Sequence, residues 1–118
     1  MILDTTLRLE IILTAAKTTN DMNVTVDYRD WNTQGQETPP APFRVVSNGV
    51  TAVTILAAPV QNPVREPLRI CVYNTDTATK TVRIRTNDGT TAYIDIEYAL
   101  PSLKSLIWSK RTDWYVTT

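Results

Sequence analysis

The 118-residue chain has no histidine, one cysteine (Cys71), three glycines and one phenylalanine. Each scarcity closes a class of function. Without histidine the commonest general base and zinc ligand is missing, and Ser-His-Asp or Cys-His catalytic arrangements cannot form within one chain. A single cysteine rules out an intramolecular disulfide, and with it a secreted disulfide scaffold. The glycines are scattered at Gly35, Gly49 and Gly89, so there is no Gly-rich phosphate loop. Charge of one sign is also lacking, since Lys+Arg and Asp+Glu balance at 12 each. A neutral chain has no long-range pull toward nucleic acid or an anionic membrane, and neither is expected as a partner. It also lacks the repulsion that keeps small proteins apart, which favours life in an assembly. No segment approaches the roughly 18–20 continuous apolar residues of a membrane span. At the N-terminus, Asp4 stands where a signal peptide needs a basic region, and Arg8 and Glu10 interrupt the apolar run. A soluble product made in the cytoplasm is expected.

What the chain does contain is short, two-faced extended segments. Leu68, Ile70 and Val72 alternate with Arg69, Cys71 and Tyr73. Val82 and Ile84 alternate with Thr81, Arg83 and Arg85, and Ala92, Ile94, Ile96 and Tyr98 alternate with Tyr93, Asp95 and Glu97. Side chains on a strand point to opposite faces with period two, so each run has one apolar and one polar face. Pro67 to Tyr98 therefore reads as a three-stranded meander. The five-residue loop Thr75–Thr79 sets Val72 opposite Val82 and Ile70 opposite Ile84. At Asn87-Asp88-Gly89-Thr90, a two-residue loop would set Ile84 against Tyr93, core against solvent, which a sheet with one buried face does not tolerate. A three-residue loop, Asp88 to Thr90, sets Ile84 against Ile94, Val82 against Ile96, Arg83 against Asp95 and Arg85 against Tyr93.

Further strands are expected at about Thr6–Thr14, Asn23–Asp30, Phe43–Ser47, Val50–Ala57, Ser105–Lys110 and Trp114–Thr117. Residues 10–16 are the best competitor for a helix. Asn48-Gly49 marks a tight turn. Pro59, Pro63 and Pro67 make Ala58–Pro67 a surface crossing. Trp31–Pro42, with Gly35 and Pro39, Pro40 and Pro42, has no periodicity and reads as a semi-stiff loop or arm. Eight or nine short strands punctuated by Pro, Gly and Asn indicate an all-β, two-sheet antiparallel sandwich, jelly-roll-like, forming a single domain over 1–118 with a Pro-rich loop or arm at about 31–43.

Little chemistry survives on this frame. Asp95 and Glu97 share a strand face and are the remaining carboxylate pair, set against charge pairing with Arg83 and Arg85. Asn74-Thr75-Asp76 and Asn87-Asp88-Gly89 are too sparse for calcium and suit turns. Arg83, Arg85, Tyr93 and Tyr73 on one face could stack single-stranded nucleic acid, but Asp95 and Glu97 beside them oppose it. Cys71 falls on the polar parity of its strand, in a second buried layer or beneath another subunit, with Arg69 and Arg83 as neighbours. Trp31 either anchors an interface or lids the end of the sandwich. No catalytic residue, metal ligand or cofactor site is expected.

The segment SNGVTAVTILAAPVQNPVREPLRICVYNTDTATKTVRIRTNDGTT resembles a recurrent pattern in small virion proteins of tailed bacteriophages. An "NG-TAVT-AAP" strand precedes a basic crossing, and a strand ending in "x-N-x-D" and an "NDGTT" turn follow. The match covers about Ser47 to Leu100. Near the end, Pro101-Ser102-Leu103 and Asp113-Trp114 stand where that family shows Pro-Gly-Glu and Gly-Trp. The resemblance implies a β-sandwich structural protein. The expected role is a non-enzymatic virion protein, a capsid decoration or cement protein on the outer shell, assembled in the bacterial host cytoplasm. The alternatives are a tail or head–tail connector component, or a glycan-binding module. The expected partners are the major capsid protein or other virion subunits, and copies of itself in a homo-oligomer. The expected contact residues are Trp31, Pro39, Pro40, Pro42 and Phe43, with the N-terminal residues as a second reaching segment.

Overall fold

In a computed structural model that describes residues 1–117, the chain forms nine strands and no helix. They are β1 (Arg8–Leu13), β2 (Asn23–Trp31), β3 (Ala41–Val46), β4 (Val53–Leu56), β5 (Val64–Tyr73), β6 (Lys80–Asn87), β7 (Ala92–Leu100), β8 (Ser105–Ser109) and β9 (Thr112–Val116). One sheet has the order β4-β1-β6-β7 and the other β3-β2-β5-β8-β9, with every pairing antiparallel. The two-sheet sandwich read from the alternation is therefore the fold. The residue 10–16 window is strand followed by bends, because Leu9, Ile11 and Leu13 bury at period two and Thr14 ends the run.

The core lies between the sheets. Leu9, Ile11, Leu13, Ile55, Val82 and Ile84 come from the four-stranded sheet, and Val24, Val26, Ile70, Val72 and Leu106 from the five-stranded one. Each such side chain contributes about 1.5–3 kcal/mol relative to exposure. Leu3 also enters this core. Its backbone pairs with Arg65 through two 2.8 Å hydrogen bonds, so the N-terminal segment is docked and does not reach outward.

The expected meander is only half present. β5 and β6 lie in different sheets, so Val72 does not face Val82, nor Ile70 face Ile84. Both sides of β5 are taken by β2 and β8, and both sides of β6 by β1 and β7. The loop between them is built as a corner. Asn74 donates from Nδ2 to the carbonyls of Ala78 and Leu100 at 3.0 and 2.9 Å. Asp76 accepts the backbone N–H groups of Thr18 and Thr19, both at 2.8 Å, tying the corner to the β1–β2 connection.

The β6–β7 hairpin is real, but its register is shifted, by two residues at Val82 to Ile84 and by one at Arg85. Ile84 pairs with Ile96, Val82 with Tyr98, Arg83 with Glu97 and Arg85 with Ile94. Asn87 pairs with Ala92, which leaves a four-residue loop, and a bulge at Asp95 restores the parity. Face assignment survives up to the bulge. Beyond it Ile94 turns outward and is exposed.

On the outer face of the four-stranded sheet, Glu10 is only 5% exposed. Its carboxylate accepts from Arg85 Nε and Arg8 Nε, both at 2.9 Å, and from Asn87 Nδ2 at 3.1 Å. Burial alone raises the pKa of Glu10, and those three donors more than reverse it, holding the group ionised.

Candidate contact site at the β2–β3 hairpin

Of the two forms open to the Pro-rich segment, it takes the loop. β2 ends at Trp31 and β3 starts at Ala41, so Pro42 and Phe43 are strand residues. The tip is an Asn-led turn. Asn32 Oδ1 accepts the N–H groups of Gln34 and Gln36, both at 2.9 Å, and Asn32 N–H donates to the Gln36 carbonyl at 2.8 Å. Gly35 has φ +75°, a conformation that side-chain-bearing residues adopt at a cost. Thr38 then ties back to Asp30 twice, donating its N–H to the Asp30 carbonyl at 2.8 Å and accepting the Asp30 N–H on Oγ1 at 2.9 Å.

Ion pairs brace the base of this hairpin. Arg29 stacks over the Trp31 ring at 5.1 Å, donates from Nε to Glu66 at 2.8 Å, and pairs with Glu37. Lys110 reaches the other Glu66 oxygen at 3.0 Å. Asp30 is held in a fork by Arg65, at 2.8 Å from Nε and 3.1 Å from Nη2, and Asn62 donates to it at 3.2 Å. The Arg65 hydrogen bonds hold the Asp30 carboxyl below the usual aspartate range despite its burial. Arg65 also lies over the Tyr28 ring at 4.6 Å. Asp30, Arg65 and Asn62 are among the residues lining a concavity of about 320 Å³ at the β4–β5 crossing.

The expected contact residues are thus brought onto one hairpin, in unequal roles. Trp31 is half-buried and braces the hairpin base. Pro39, Pro40, Pro42 and Phe43 are exposed, Phe43 at 41%. Phe43 faces inward opposite Val26 on the edge strand of its sheet, at the open margin of the sandwich. Pro42 removes one backbone donor from β3, which blunts that edge against pairing. The bracing set of Arg29, Asp30, Glu37, Arg65, Glu66 and Lys110 escaped the sequence reading. Its only signal was the charge density of Arg29-Asp30 and of Arg65-Glu66, the latter between Pro63 and Pro67.

The other candidate groups are dispersed. Glu97 is engaged by Arg83, whereas Asp95 accepts from Thr86 Oγ1 at 2.7 Å, and Arg85 turns to Glu10. Tyr73 sits on the opposite sheet from Arg83, Arg85 and Tyr93, so the proposed stacking face does not exist. Arg83 is for the same reason no neighbour of Cys71, which is half-buried on the outer face of the five-stranded sheet. Asn87 and Asp88 spend their side-chain oxygens on the N–H groups of Gly89, Thr90 and Thr91. Among the described residues no group of three or more His, Cys, Asp or Glu side chains gathers as a metal site. Comparison of the chain with protein-family models, with curated proteins and with solved structures finds no match.

Proposed function

We propose that the chain is a non-enzymatic structural protein of a tailed-phage particle, a decoration or cement protein that seats on the capsid shell through the β2–β3 hairpin. The observation that carries this reading is a pairing of rigidity with exposure. The hairpin is fixed by the Asn32 turn, the Thr38 tethers and the Arg29–Glu66–Lys110 brace, yet it leaves Pro39, Pro40, Pro42 and Phe43 uncovered. A surface already ordered before contact loses little entropy on binding. Its apolar area contributes roughly 25 cal/mol per Å² buried, and many equivalent copies on a shell add avidity. The Ser47–Leu100 resemblance supports the particle assignment. Its "NG" element is the β3–β4 turn, with Gly49 at φ +53°, and its "NDGTT" element is the β6–β7 loop.

The test is co-sedimentation with undecorated capsids. Replacing Pro39, Pro40 and Phe43 together by serine leaves Trp31 and its brace in place, and binding is expected to be lost. Binding that survives at full strength in a variant with unchanged melting behaviour rejects the hairpin as the anchor.

A further inference from the structure

Both outer faces of the sandwich carry ion pairs, but on the five-stranded sheet they gather at one end. On the four-stranded sheet, Glu10 engages Arg8 and Arg85, and Glu97 engages Arg83. On the five-stranded sheet, Arg29, Glu37, Glu66 and Lys110 pair beside the β2–β3 loop, and beyond them Asp27, Arg44 and Arg69 make no ion pair among the described residues. They border a centre without charge. The register builds that centre in rows: Thr25, Cys71, Ile107 and Tyr115 lie side by side, with Asn23, Tyr73 and Ser105 in the next row. Ile107 is 5% exposed although it points away from the core, and Tyr115 beside it is 46% exposed. A charge-poor middle with tyrosines and an arginine-bearing border is the anatomy of a protein interface.

We propose that this face packs against the same face of a second copy of the chain, with Cys71 at the middle of the contact. β5 is the central strand of its sheet, and Cys71 lies between Arg69 and Tyr73 on the outward side of it. Charge decides the occupant. An acidic partner would meet Asp27, and a basic one would meet Arg44 and Arg69, whereas a face carrying both signs suits a copy of itself. A two-fold contact sets each row against a row of the other copy. With the central strands antiparallel, the Asp27–Arg69 row meets the Asn23–Tyr73 row. The Arg69 guanidinium then falls over a tyrosine ring, and the Asp27 carboxylate meets an amide that donates to it. Thr25, Cys71 and Ile107 meet their own counterparts, and Arg44 stays in the solvated border. Facing sheets sit ≈10 Å apart, too far for a Cys71–Cys71 disulfide, so the association is not expected to be oxidation-locked. The contact uses none of Pro39, Pro40 and Phe43, the residues replaced in the capsid test, so the two readings stand or fall separately.

The experiment is sedimentation equilibrium of the full chain over a wide concentration range, with the labelling rate of Cys71 by Ellman's reagent followed in parallel. A dimer is expected, and labelling is expected to slow as the dimer fills. Arg69→Glu and Tyr73→Ser change exposed side chains, and each is expected to weaken the dimer by about tenfold or more. Their melting curves check that the fold is intact. A chain that stays monomeric overturns the proposal. So does a dimer whose Cys71 labels at an unchanged rate, or one that both variants leave as strong as before.

Discussion

Asp76 sits almost wholly enclosed at the β5–β6 corner and remains ionised. Its enclosure alone raises the pKa. The N–H groups of Thr18, Thr19 and Thr77 and the Thr19 hydroxyl outweigh that and hold it far below the ordinary 3.8. A carboxyl depressed in the folded state stabilises fully above its unfolded pKa, and that stabilisation is lost as pH falls through the folded one. Denaturant midpoints measured from neutral pH downward should therefore fall once pH drops below about 3.8, the ordinary value. Asp76→Asn should start lower at pH 7 and fall less steeply, and parallel curves would remove Asp76 from the account. Leu103 makes the opposite kind of point. It is 64% exposed and held at φ +60°, in the left-handed region. Such a conformation costs an L-residue roughly 1–2 kcal/mol, and glycine returns roughly half of that as unfolded-chain entropy. Leu103→Gly should thus be neutral or stabilising by up to about 1 kcal/mol in chemical denaturation. A loss of that size would mean the Leu103 side chain makes contacts that matter. Neither role was legible in the sequence. A lone Asp between threonines reads as a turn, and nothing marks a leucine for positive φ.

Among the elements, β1 shows what alternation reveals and what it conceals. Leu9, Ile11 and Leu13 share one parity of the strand expected at Thr6–Thr14, and they are fully or almost fully buried. Glu10 takes the other parity and faces outward, yet the two guanidiniums and Asn87 cover it. Glu10→Ala would leave Arg8 and Arg85 side by side without their counter-charge, at an expected cost of about 2–3 kcal/mol. Urea unfolding checks this, and a change below about 0.5 kcal/mol, the scale of an exposed pair, would reduce the cluster to surface decoration. Register was the weaker inference. Parity correctly excluded a two-residue β6–β7 loop, but a four-residue loop plus a bulge satisfies the same constraint as the three-residue loop expected. Period-two patterning fixes which face a residue takes modulo bulges, and a shift of two residues costs it nothing.

At the scale of the molecule, the all-β two-layer architecture was legible because nearly every strand carries one apolar face. Which strands share a sheet was not, because an apolar face says that a strand is covered and nothing about its lateral neighbours. The β1→β2, β3→β4, β4→β5, β5→β6 and β7→β8 connections change sheets, while β2→β3, β6→β7 and β8→β9 are hairpins within one. The contact hairpin was half legible. Its prolines and Phe43 stood out, but its ion-pair brace joins residues distant in sequence, such as Arg29 with Glu66 and Glu66 with Lys110. With one core shared by both sheets, unfolding should be a single transition. Ile70→Ala and Ile84→Ala, one in the middle of each sheet, should each cost about 2–5 kcal/mol with the same denaturant slope. A second transition in either variant would show that the layers melt apart.

The position of β1 also bears on how the chain is made. It lies between β4 and β6, so once made this strand has no lateral partner until residues 53–56 are synthesised, and its second arrives only with residues 80–87. Until β4 emerges a greasy, sticky ribbon must wait unpaired, and until β6 emerges it stays half-paired, so a stalled or truncated nascent chain ending before β6 should be a favoured client of trigger-type chaperones and proteases.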